Sequence, residues 1–100
     1  MAISISNDTW VYVVIGNPGS ADKLTGFQEK NGTAFIPVLR SKNAAEGFLG
    51  YMPREPGLFY EIQTIIFADV LKYARENGSK IYLVNEKGEI LEKGSPETIQ

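Results

Sequence analysis

The sequence predicts a single α+β domain, a mixed β-sheet carrying two helices in the order β-ββ-α-β-α-ββ. Three observations carry that prediction. Trp10–Ile15 is an unbroken run of β-branched and aromatic residues with no polar face. Turn signals at Asn31-Gly32 and at Asn85-Glu86-Lys87-Gly88 each fall between two strand-like runs. Two further stretches change to helical spacing, and a stop signal follows each.

Taken in order, Trp10–Ile15 is apolar on both faces, which predicts a central strand ending at the turn cluster Gly16-Asn-Pro-Gly19. Residues 27–39 read as a hairpin about Asn31-Gly32, because Asn and Gly best tolerate the positive φ of a tight turn. Pro37 removes a backbone donor and predicts an irregular or edge position there. Ser41 then offers an N-cap, and Ala44, Ala45, Phe48, Leu49 and Met52 share one helical face. Gly47 and Gly50 each weaken that helix by about 1 kcal/mol relative to alanine, or allow close packing against the sheet.

Pro53-Arg-Glu-Pro56-Gly57 is a loop, and Leu58–Thr64 has strand composition. From Ile66 the stripe Ile66, Phe67, Val70, Leu71, Ala74 opposes Asp69, Lys72, Arg75 and Glu76, an amphipathic helix that Asn77-Gly78 stops. A second hairpin over 80–92 places Gly88 for a type I turn with a bulge. The strand–helix–strand units 35–64 and 58–84 predict parallel neighbours in the sheet, with antiparallel hairpins beside them. Residues 1–8 are expected to form a flexible N-terminal segment, and 94–100 a frayed tail.

One hundred residues, 43% hydrophobic and 22% charged, suffice for one core and are too few for two. Residues 1–100 therefore read as one domain. The chain contains neither histidine nor cysteine. That removes the commonest general acid/base, the thiolate nucleophile and the usual ligands for structural zinc or haem. No metal and no cofactor is expected, and an interaction domain is favoured over an enzyme. The net charge of −2, with scattered lysines and arginines, argues against nucleic-acid binding. No stretch approaches the roughly 20 apolar residues of a membrane span, and the start lacks signal-peptide features, so a cytoplasmic location is expected.

The run Thr33-Ala-Phe-Ile-Pro-Val-Leu-Arg-Ser-Lys-Asn-Ala-Ala-Glu-Gly-Phe-Leu49 resembles the N-terminal domain of SseB-type (enhanced serine sensitivity) proteins. There a strand ending in Ile-Pro-Val leads through Ser-Lys into a small helix with a bulky apolar pair. A small domain of unknown function from cyanobacteria and plastids is similar in plan. Either resemblance implies an α/β fold and no established catalytic residues. The glycines within the helix and the shorter chain depart from the SseB pattern.

Two candidate sites emerge. At Arg40-Ser41-Lys42-Asn43 the helix start carries two cations and no acid before Glu46. Cations beside unpaired N–H groups suit a small anion such as phosphate or carboxylate, with Asn17 and Gly19 at a neighbouring strand end. The bland alternative is Ser41 as an ordinary cap, with the two basic residues solvated or paired with Glu46 and other acids. The second site is an interaction surface of Tyr51, Met52, Arg54, Phe59 and Tyr60 around the 50–60 loop, for a protein partner or self-association as a homodimer. Core packing of Met52 and Phe59 is the bland alternative there. Gly16–Lys23 fails the spacing of a phosphate loop. Glu61 reads as a solvent-facing strand residue, with a cleft-facing carboxylate as the alternative.

Overall fold

The computed structural model describes residues 5–16, 23–24, 26–52 and 59–95. Strand β1 (Trp10–Gly16) is followed by two short strands, β2 (Lys23–Leu24) and β3 (Phe27–Gln28), and by β4 (Ala34–Val38). Helix α1 (Lys42–Tyr51), strand β5 (Tyr60–Ile66), helix α2 (Phe67–Asn77) and strands β6 (Lys80–Val84) and β7 (Ile90–Gly94) complete the chain. The strands form an antiparallel sheet, β2-β1-β5, and a mixed sheet, β3-β4-β6-β7. A two-way backbone bridge between Tyr12 and Leu39, at 2.9 and 3.0 Å, joins them.

Alternation along the inner strands sets the layers. Val11, Val13 and Ile15 of β1, Ile36 and Val38 of β4, and Ile81 and Leu83 of β6 point one way, into a cluster with Phe67, Val70, Leu71 and Ala74 of α2. Val14, Tyr82 and Val84 point the other way, into a cluster with Ala45 and Phe48 of α1 and with Met52. Period-two side chains on strands buried on both faces produce this division. The result is three layers, with a helix on either side of the strands. The Cα radius of gyration of 12.5 Å matches the ~13 Å of a compact chain of this length.

The predicted α+β class and central first strand are found, and the predicted order holds with one addition, the two-residue β2; the strands divide into two sheets, of which one is mixed. The parallel pairing differs in its partners. β5 runs antiparallel to β1 in the other sheet, and the parallel pair is β4 with β6. Burial explains the choice. β4 and β6 are apolar on both faces and take central positions, whereas β5 has no fully buried residue and suits a sheet edge. Pro37 sits where β3 has already ended, since β3 pairs only with Ala34 and Phe35.

Turn and cap chemistry follows the sequence closely. Gly32, Gly78 and Gly88 have φ of 89°, 66° and 77°. Both hairpin loops share one bonding pattern: Gly32 N–H donates to Glu29 O and Glu29 N–H to Thr33 O, as Gly88 does to Asn85 and Asn85 to Glu89. Ser41 Oγ accepts the Ala44 N–H at 3.1 Å, capping α1. No side chain caps α2; the carbonyls of Thr9 and Asn7 accept the N–H groups of Phe67 and Ala68 at 2.8 and 2.9 Å. Together with Ile5, buried in the α2 cluster, these bonds anchor the chain well before β1. At the other end, Gly94 is buried as the last residue of β7.

Candidate functional site

Met52 is buried in the α1 cluster, and Tyr60 packs half-buried against the same cluster. Their neighbours Tyr51 and Phe59 lie 67% and 77% exposed. Two aromatic rings are thus held outward by backbone whose adjoining residues are pinned in apolar packing. Met52 belongs to the core rather than the surface, because its thioether fills the α1 cluster beside Phe48. Arg54 lies outside the described residues. Glu61 is exposed.

Beside Tyr51 a cavity of about 290 Å³ opens between the end of α1 and the hairpins, lined mainly by Phe27, Phe35, Phe48, Tyr51 and Met52, with Lys87 at its rim. Its wall is a chain of rings. Phe48 meets Phe27 edge-on at 6.0 Å, Phe27 stacks on Phe35 at 6.0 Å, and Phe35 stacks on Tyr82 at 4.4 Å. Such pairs contribute about 0.5–1.5 kcal/mol each beyond area burial. Gly47 lets α1 approach the β6–β7 turn, since a Cβ there would lie 2.6 Å from Glu86 Cβ.

The stack ends in a charged cluster. Tyr82 donates its phenolic proton to Glu29 Oε2 at 2.5 Å, and Lys93 Nζ donates to Glu29 Oε1 at 3.2 Å. Lys93 also lies 5.3 Å from the centre of the Tyr82 ring. Burial pushes the Tyr82 phenol up to about 12, with Glu29 adding to the rise. The Tyr82 hydrogen bond holds Glu29 below the ordinary carboxylate value; partial burial opposes this and Lys93 reinforces it. Both shifts lead away from neutrality, so Tyr82 stays protonated and Glu29 ionised at pH 7. A cation, a carboxylate and a phenol held this way latch β7, β3–β4 and β6 together.

Of the helix-start candidates, Arg40, Ser41, Lys42 and Asn43 are all exposed. The first turn of α1 holds no acidic residue, and the Ser41 hydroxyl is committed to its cap. Lys42 with Glu46, Tyr12, Ile62, Gln63 and Thr64 lines a shallow cleft of about 590 Å³ between α1 and β5. Asn17 and Gly19 lie outside the described residues.

Sequence reasoning missed the Glu29–Tyr82–Lys93 cluster. Its members stand 53 and 64 positions apart, and no local spacing announces them. Fold and surface together define a small three-layer α+β domain. No protein-family model, no curated protein and no solved structure matches the chain. Among the described residues, no helix is long and apolar enough to cross a membrane.

Proposed function

We propose that this chain is a non-catalytic protein-interaction or regulatory domain, acting in the cytoplasm through the surface around Tyr51, Phe59 and Tyr60 and the adjoining edge of β5. The observation that carries the reading is the outward display of Tyr51 and Phe59 beside anchored Met52 and Tyr60. Aromatic rings on a fixed base give large contact area at little entropic cost, the composition enriched in protein interfaces. At the Glu29–Tyr82 contact the phenol is held up and the carboxyl down, which suits a structural latch rather than proton transfer near pH 7. The likeness to SseB-type domains belongs to the same proposal.

The test is light scattering, in parallel with chemical cross-linking, on wild type and on a Tyr51→Ala/Phe59→Ala variant. The reading expects a complex that the double substitution dissolves while the melting temperature holds. A complex indifferent to both rings contradicts it.

A second reading, an anion site at Arg40–Asn43, draws on one contrast: α1 lacks an acid in its first turn, whereas α2 has Asp69 there. It expects inorganic phosphate to raise the melting temperature by mass action, and Arg40→Ala/Lys42→Ala to remove the rise. An unchanged melting temperature rejects it.

A further inference from the structure

We propose that β5 pairs antiparallel with β5 of a second copy of this chain, about a two-fold axis at Gln63, joining two three-stranded sheets into one. The inference rests on the interaction reading above and names its partner.

The sheet edges differ in kind. β2 and β3 are two residues long. β7 is broken by a register shift opposite Leu83 and Val84 and carries Glu92 and Lys93. Short length, bulges and edge lysines all discourage strand addition. β5 has none of these protections. Its seven residues pair with β1 in unbroken register from Tyr60↔Gly16 to Ile66↔Trp10, and its one charge is Glu61. No described strand pairs with its other side.

Backbone phase shows which groups that side offers. The N–H and C=O of Tyr12 both bond to Leu39, away from β5. Antiparallel partners alternate, so the β1–β5 bonds run through Val11, Val13 and Ile15 to Ile65, Gln63 and Glu61. The bond from Phe67 N–H to Thr9 O, at 2.8 Å, continues the same phase. The N–H and C=O of Ile62 and Thr64 therefore face the open edge. A row of unpaired backbone groups is a template for another strand.

The strand is complementary to itself. With both copies fully overlapped, Gln63 meets Gln63 of the second copy at the axis. Ile62 and Thr64 of the second copy then stand opposite and exchange both backbone bonds, in the phase just derived. Tyr60 faces Ile66 of the second copy on the same side of the sheet. These are aromatic/β-branched and β-branched pairs, the favourable cross-strand classes, and each occurs twice. Glu61 falls opposite Ile65 of the second copy, which keeps the two carboxylates four positions apart, about 13 Å along the strand. Trp10, 62% exposed and opposite Ile66 in β1, extends the Tyr60–Ile66 row. It is the one tryptophan of the chain and so reports on the contact.

Sedimentation equilibrium over a concentration series, with Trp10 emission followed in parallel, tests the pairing on the full chain. Gln63 is exposed, so Gln63→Lys and Gln63→Glu each leave the fold intact but set like charges at the axis. The expected result is a wild-type dimer that each variant weakens by at least about tenfold, and that an equimolar mixture of the two restores as a heterodimer. Thr64→Pro removes an outward N–H and spares every bond to β1, so it abolishes the dimer in a chain that still folds. Should that variant unfold, the charge-swap pair decides alone. A wild type monomeric at the highest soluble concentration, or a dimer that ignores the Gln63 variants, overturns the proposal. A monomer that still forms a Tyr51- and Phe59-dependent complex overturns the dimer only and leaves the interaction reading standing.

Discussion

The face under α2 and the face under α1 differ in how completely they close. Under α2, Phe67, Val70 and Ala74 meet Val11, Val13, Ile36, Val38 and Ile81, all 1% exposed or less. Under α1 the packing is aromatic and looser: Phe48 and Met52 retain 7% exposure, a cavity opens beside them, and Tyr51 stands outside. The helices match their faces. α2 has Asp69 in its first turn, Arg75 in its last and a left-handed Gly78 cap, each favourable to the helix dipole or its termini. α1 has neither charge in place and carries Gly47 and Gly50. The comparison teaches a division of labour. One face spends its residues on stability, and the other keeps surface and aromatic rings accessible.

The largest effect should come from deleting a ring on the closed face. Phe67→Ala is expected to cost about 3–5 kcal/mol by urea unfolding. Phe48→Ala, bordering an existing cavity, should cost less, because part of the void is already there. Equal losses would erase the distinction between the faces.

The glycines of α1 sharpen it next. Gly47→Ala forces a Cβ against Glu86 Cβ and should destabilise by about 1–3 kcal/mol despite alanine's helix propensity. Gly50→Ala meets nothing within 4 Å and should stabilise by about 0.5–1 kcal/mol. Opposite signs three residues apart would mark Gly47 as a packing residue and Gly50 as a concession of stability.

The smallest effect is in pH dependence. Tyr82 titrates near 12 in the folded chain against 10.0 ordinarily. Between these values the unfolded chain has lost the proton and the folded one retains it. The contribution of Tyr82 is therefore complete below pH 10 and lost as pH rises toward 12. Glu29 behaves in the reverse sense, contributing above its ordinary 4.5 and losing that contribution as pH falls through its lowered folded value. Ultraviolet titration should show a phenol that ionises late, and Tyr82→Phe should remove that phase. A high-pH titration unchanged by Tyr82→Phe would refute the latch.

Much of the fold was legible because its signals are local. The β-branched run of β1, the glycines at 32, 78 and 88 and the Ser41 cap each act within a few residues. What stayed hidden depends on distant pairing. Nothing in β4 announces β6 as its parallel neighbour, since the choice is set by which strands are apolar on both faces. The α2 cap was invisible because Asn7 and Thr9 supply it through backbone carbonyls rather than side chains. At the candidate surface, helical spacing already set Met52 on the buried face and left Tyr51 outside, as found, whereas Phe59, for which core packing was the alternative, is 77% exposed and Tyr60 is half-buried. Residues at the start of β5 carry no local signal of which side is covered.

Residue-resolved amide hydrogen exchange measures the contrast between the faces most directly. The α2 amides should exchange only through global unfolding, while those of α1 should exchange through a lower-energy local opening. Amides of α1 as protected as those of α2 would contradict the division of labour between the two faces.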